Sequence, residues 1–291
     1  MKKQIIDFIL YLKVERAYAD NTCKAYEQDL FRLFEYLRGK GVSTWSQLNS
    51  ENLNLYMMHL RHGAMNSRSI RRHLSSVRGF LSYLLSQGLV ESNVALGLQT
   101  PKIDQTLPKT LDYEKIMQML KLNSSSVSEL RDVAILEVIY SCGLRVSELV
   151  GLDTKDIDHV QGFLKVMGKG AKMRHTPLGD SAKSAIDRYT KKANINQGAL
   201  FLNKYGKRIG IRSVQAMVKK RALAVGIEVN VHPHMLRHAA ATHFLQSSHD
   251  LRSVQEFLGH QSIKSTQVYT HLDFLELSKV YDKHHPRAKK S

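Results

Sequence analysis

Residues 91–110 break the helical apolar periodicity of the ninety residues before them, and they carry Pro101 and Pro108. A stretch without periodicity, marked by prolines, does not continue a helix or join a packed core. It divides the chain into two folding units, residues 1–90 and residues 111–291, with a linker over 91–110. A length of 291 residues points the same way, since single domains commonly run to 100–200 residues.

The first unit reads as helices throughout. Ile5, Ile6, Ile9, Leu10 and Leu12 recur at helical spacing, and Asn21-Thr22 opens a second run closed by Gly39 and Gly41. A third helix is expected over 51–62. A fourth starts near Ser67, with Ile70, Leu74, Val77, Phe80, Leu81 and Leu84 facing inward. The second unit is mixed. Phe163–Met167 reads as a strand, Gly168-Lys169-Gly170 as a turn, 172–177 as a returning strand and 199–202 as a third strand. Helices are expected over 113–120, 129–141, 181–193, 211–225, 234–246, 250–258, 262–269 and 273–284. The fold class is mainly α with a small β-sheet. The last of these helices puts Phe274, Leu277, Val280 and Tyr281 on one face. Such a stripe at the end of a chain either folds back on its own domain or contacts another subunit.

A formal charge of +17 points to a polyanionic partner, nucleic acid before an anionic membrane. Residues 1–105 carry 14 Lys+Arg against 9 Asp+Glu, and the remainder 29 against 17, so both units are basic. That suits a protein that surrounds its ligand. Arg68, Arg71, Arg72 and Arg78 crowd one half of the fourth helix, and residues 67–90 contain no Asp or Glu. A solvated face is the ordinary reading of such a helix; the missing carboxylates favour phosphate contact. Lys102 in the linker and Lys172 on the returning strand join this DNA-binding set. Two cysteines, Cys23 and Cys142, make no disulfide framework and suit a reducing cytoplasm. The N-terminus lacks a signal-peptide core, and no segment reaches the ~18 apolar residues of a membrane span.

The chemistry-bearing residues recur in a fixed order. Arg145 and Glu148 follow the apolar run that ends at Gly143; Lys169 stands between two glycines. His234 and Arg237 lie one helical turn apart, His260 follows Gly259, and Tyr269 comes nine residues later. Each alone is ordinary: a helix-terminal arginine, a turn lysine, a cap histidine, a core tyrosine. His234 and His238 have metal-ligand spacing, but no carboxylate or cysteine cluster accompanies them, so neither a metal nor a cofactor is expected. Together the set suits one reaction. Two arginine forks grip a phosphodiester. A tyrosine attacks where cations stabilise its phenolate and the phosphorane. A lysine or histidine moves protons.

This ordered set resembles that of the tyrosine recombinases, the phage-integrase family, over the whole chain. Within the family, Cys142-Gly143-Leu144-Arg145 through Leu152, Val166-Met167-Gly168-Lys169-Gly170 and Val231-His232-Pro233-His234 are similar to the bacterial Xer recombinases. The tail from His271-Leu272-Asp273-Phe274 to His285-Pro286-Arg287-Ala288 is similar to one of that subfamily's two paralogous branches. Ser141-Cys142 and Ser265 depart from the usual residues without touching a catalytic position. The resemblance implies a helical SAM-like N-terminal DNA-binding domain and an α+β catalytic domain whose last helix contacts a neighbouring subunit. It implies a site-specific recombinase in which Tyr269 forms a 3′-phosphotyrosyl bond and Arg145 and Arg237 hold the non-bridging oxygens. Lys169 then protonates the 5′-oxygen, His234 assists proton transfer, His260 binds the phosphate, and Glu148 orients Arg145. It further implies double-stranded DNA with a specific site, a Holliday junction, and a paralogous recombinase in a heterotetramer. Resolution of chromosome dimers at a terminus site, with a septal DNA translocase as activator, completes the set. The rival readings are a tyrosine topoisomerase forming 3′ links and a non-enzymatic DNA-binding regulator on the same fold.

Overall fold

The computed structural model describes residues 1–99, 111–121, 123–168, 173–259 and 271–288. The chain divides into two units, Met1–Leu107 and Pro108–Ser291. In the first, α1 (Lys2–Val14), α2 (Asp20–Arg38), α3 (Ser50–His62) and α4 (Ser67–Ser86) enclose one core. The helix starts follow from their caps: Asn49 and Asn66 accept hydrogen bonds from the backbone of Asn52 and Ser69. Phe8, Leu30, Leu33, Tyr56, Val77 and Phe80 are buried, as the helical spacing requires.

Two residues of the expected DNA-binding set have partners within this unit. Arg72 is exposed on α4 and paired with an acid. Its Nε and Nη2 donate to the two carboxylate oxygens of Asp29 on α2, each at 2.8 Å. The buried carboxylate also meets His73 Nε2 at 3.0 Å, and His73 Nδ1 lies 3.2 Å from the Tyr56 hydroxyl. A buried carboxylate demands such partners, and α4 supplies them across 43 positions of sequence. Arg78 is likewise taken up, donating to the carbonyls of Ala95 (3.0 Å) and Leu98 (2.6 Å). That contact, with Asn93 Nδ2 donating to Ser82 Oγ at 2.8 Å, packs the first part of the expected linker onto α4. Arg68 and Arg71 are exposed; Lys102 lies outside the described residues.

The second unit comprises α5 (Tyr113–Leu120), α6 (Val127–Ser141), α7 (Val146–Gly151), α8 (Asp180–Ala193), α9 (Ile211–Ala224), α10 (Pro233–Ser248), α11 (Leu251–Leu258) and α12 (His271–His284). Strands β1 (Ile157–Asp158), β2 (Phe163–Met167) and β3 (Met173–Pro177) form an antiparallel sheet in that order. Helix α6 is buried on every side from Val133 to Ser141, which makes it the axis of the unit. The third strand expected over 199–202 is not part of the sheet. Its backbone forms isolated bridges, Ala199 with Asp153 and Leu202 with Arg208. Its hydrogen bonds go to two different segments, Leu200 to Leu152 and Ile209 to Phe201, so no ladder develops. The third strand is instead the two-residue β1. The helix expected over 262–269 lies outside the described residues.

The second half of helix α12 packs against its own domain. Leu277 and Tyr281 are buried. Tyr281 stacks on His285 at 4.6 Å between centroids, and both lie against Phe244 and Phe257. Asp180 donates its backbone N–H to Ala288 at 2.8 Å, and Arg287 pairs with the buried Glu137 of α6. Leu277, Val280 and Tyr281 of α12 therefore complete this core. Tyr281→Ala should cost about 3–5 kcal/mol of unfolding free energy, as other buried aromatic truncations do. Urea denaturation of the full chain measures it; a loss below about 1 kcal/mol would mean the tail is not part of the folded core in solution.

Candidate active site

Helix α6 ends at Ser141, capped by Cys142, and the chain turns through Gly143 at φ +59°. Only a glycine serves there: the conformation is left-handed, and an added Cβ would lie 2.6 Å from the ring of Phe257. The turn delivers Arg145 as the N-cap of α7, in extended conformation. Its backbone N–H donates to Glu148 Oε2 at 2.8 Å, and its Nη1 donates to Glu148 Oε1 at 2.8 Å. Glu148, one turn along, is buried while the Arg145 side chain is 40 % exposed. The carboxylate thus anchors a guanidinium whose remaining donors face solvent.

Two further arginines reach the same carboxylate. Arg237, on α10, is 4 % exposed, with Nη1 3.8 Å from Glu148 Oε2. It donates to the carbonyl of Gly143 and, at 2.6 Å, to that of Leu258 at the end of α11. Arg174, on β3, donates to both oxygens of Glu148, at 2.8 and 3.0 Å. The register pairs Val166 with Arg174 and Leu164 with Thr176. Arg174 therefore shares the inward face of the sheet, where Thr176 donates to the carbonyl of Cys142 at 3.1 Å.

The electrostatics follow. Burial alone would push the Glu148 carboxyl up, but the hydrogen bonds and charge of Arg174 and the bonds from Arg145 bring it down to about 2. Burial lowers Arg237 to about 10, helped by Arg145 and Arg174 and opposed by Glu148, so it stays charged at neutral pH. His234 is exposed at the start of α10, one turn before Arg237. Partial burial, then the charges of Arg237 and its other cationic neighbours, hold it below the ordinary histidine value, so it is neutral at pH 7. Three guanidiniums against one carboxylate leave two positive charges, which suits a phosphodiester whose pentacovalent state carries a second negative charge.

The structure thus brings together Arg145, Glu148, His234 and Arg237 of the residues expected from sequence. Lys169, Lys172, His260 and Tyr269 lie outside the described residues. Arg174 is absent from the set read from the sequence. The alternation of β3 was the signal: an arginine two residues before the buried Thr176 must point inward and find an acid. Among the described residues, no group of three or more His, Cys, Asp or Glu could hold a metal ion, and no helix is long and apolar enough to cross a membrane.

Comparison with known proteins gives a consistent picture. Residues 109–276 match the model of the phage integrase family, and residues 5–88 match the phage integrase N-terminal SAM-like domain. Tyrosine recombinase XerC of Serratia marcescens is 39% identical over 293 residues, covering 100% of this chain and 97% of that protein. Tyrosine recombinase XerC of Actinobacillus pleuropneumoniae is 41% identical over 283 residues, covering 96% and 92%. A lambda integrase dimer bound to a core site shares the fold with a TM-score of 0.73 at 16% identity, covering 92% of this chain and 98% of that one. The XerH recombinase bound to its palindromic difH substrate, in a post-cleavage complex, has a TM-score of 0.69 at 24% identity, covering 89% and 79%.

The depressed Glu148 carboxyl carries a stability signature. Its folded value of about 2 lies below the ~4.3 of an ordinary glutamate. It therefore contributes roughly 3 kcal/mol that is fully present above about pH 5 and is lost as pH falls toward 2. Urea denaturation of the wild type and Glu148→Gln should show a stability gap that is constant from pH 5 to 8 and closes below it. A gap unchanged at pH 3 would show that the carboxylate is not held ionised.

Proposed function

The chain belongs to the phage integrase family and is a site-specific tyrosine recombinase, and on that premise we propose that it cuts DNA through a 3′-phosphotyrosyl intermediate at Tyr269. The observation that carries this reading is the convergence of Arg145 and Arg237 on Glu148 with His234 beside them. Arg145 and Arg237 take the non-bridging oxygens of the scissile phosphate. The Tyr269 phenol gives its proton up with the help of neutral His234, and its oxygen bonds to phosphorus. The bond from phosphorus to the 5′-oxygen breaks, Lys169 protonates that oxygen, and His260 holds the phosphate. A second 5′-hydroxyl reverses the step on a partner strand, so the phosphodiester bond energy is conserved and two exchanges pass through a Holliday junction.

The state of Tyr281 supports the choice of nucleophile. Tyr281, the nearest alternative along the chain, is buried among Phe257 and His285, and burial drives its phenol well above the usual range. Its enclosed phenol keeps its proton at neutral pH. Exposed Arg68, Arg71 and Arg72, with Arg78, Lys102 and Lys172, are our proposed backbone contacts. The XerC-like sequence supports a double-stranded site shared with a paralogous, XerD-like recombinase, and resolution of chromosome dimers at a terminus site in the cytoplasm of dividing cells under a septal translocase. Binding to a specific DNA site is what the lambda integrase and XerH structures show for those proteins.

A nicked suicide substrate tests the chemistry. The wild type should form a covalent protein–DNA product and Tyr269→Phe none, with site binding retained. Lys169→Ala should be slow on the ordinary substrate and rescued by a 5′-bridging sulfur, a leaving group that needs no acid. Covalent product from Tyr269→Phe would assign the nucleophile elsewhere, and lack of rescue would remove Lys169 from the acid role.

A further inference from the structure

Arg174 makes the fullest contact with Glu148, two parallel donations from one fork, and is 11 % exposed. Both of its terminal nitrogens donate to Glu148. Its stem runs against the turn that follows α11. A Cβ on Gly259, whose φ is +61°, would lie 2.6 Å from Arg174 Nε and 2.8 Å from Cδ. The carbonyl just before that glycine, on Leu258, accepts from Arg237. Arg174 therefore touches both supports of the site: the carboxylate that anchors Arg145 and the turn that anchors Arg237.

Building on the recombinase reading above, we propose that Arg174 is a positioning residue for strand cleavage, which saturates Glu148 and seats the Leu258-Gly259 turn so that Arg145 and Arg237 stay apart and aimed at one phosphate. A carboxylate offers about four lone-pair positions. Arg174 fills two, and the backbone and side chain of Arg145 each take one. Without Arg174, the fork of Arg145 is free to close bidentately on Glu148, the geometry that arginine and carboxylate prefer. Its donors would then turn from the substrate. The site would also fall from two net positive charges to one, weakening its hold on a phosphorane more than on a ground-state phosphodiester. DNA affinity, spread over many phosphate contacts, would change little.

The test is single-turnover cleavage of a nicked suicide substrate by wild type, Arg174→Ala and Arg174→Lys, with site affinity by gel shift and a thermal melt of each protein. Arg174→Ala should cleave about 10- to 100-fold more slowly, a loss of the size seen when groups that orient metal ligands are removed. Its site affinity should stay within a few-fold of wild type. The acid limb of its rate profile should move to higher pH, because Glu148 with one fewer cation takes up its proton sooner. Arg174→Lys should recover only part of the rate, since it restores charge without the fork. A wild-type rate and pH profile in Arg174→Ala, full recovery in Arg174→Lys, or a rate loss that tracks unfolding in the melt would each overturn the proposal. A wild type that forms no covalent product would refute the recombinase reading itself, and the role of Arg174 with it.

Discussion

The buried carboxylate of Glu148 holds the candidate site together. It lies one turn into a six-residue helix and meets three guanidiniums from α7, β3 and α10. A lone carboxylate in that position would be protonated or expelled. Its cations in turn would repel one another without it. The pair of constraints explains why segments distant in sequence must fold together before any of them is useful. Cys142 and Gly143 hand their carbonyls to Thr176 and Arg237, so the backbone of the same turn ties the sheet and α10 to α6.

The remainder of the second unit serves to keep this junction rigid. Helix α6 is buried around its whole circumference and presents the Gly143 turn from a fixed end. The tail closes over the far side, where Arg287 neutralises Glu137, the other buried acid near the end of α6. The same logic recurs in the first unit, where Asp29 holds Arg72 and His73. Each of these buried acids is matched by an arginine fork. That choice follows from geometry: a planar fork satisfies both carboxylate oxygens at once, whereas a lysine leaves one unmet.

Much of this was legible in the sequence because it is local. Periodicity and caps located the long helices, and alternation with a Gly-Lys-Gly turn located β2 and β3. The order of Arg145, Glu148, His234 and Arg237 picked out residues that the fold brings together. What stayed hidden depends on partners far along the chain. Arg72 looked free because its acid lies on another helix, and Arg78 because its acceptors are carbonyls of the linker. Helix α7 and strand β1 are too short to show a period. The stripe on α12 announces that something covers it, and packing places Leu277, Val280 and Tyr281 against its own domain. Arg174 was readable in principle from the alternation of β3, yet its acid stands 26 positions earlier. Lys169, His260 and Tyr269 rest on sequence order and family resemblance.

The central claim is that one ionised carboxylate sets the catalytic reach of the arginines. The most direct measurement is the single-turnover cleavage rate of Glu148→Gln on a nicked suicide substrate at neutral pH, beside its affinity for the same site. The amide keeps the shape and loses the charge. The rate should fall by about 10- to 100-fold, with site affinity within a few-fold of wild type and the protein still folded. A folded Glu148→Gln that cleaves at the wild-type rate would contradict the account, because the arginines would then be held by the fold without the carboxylate.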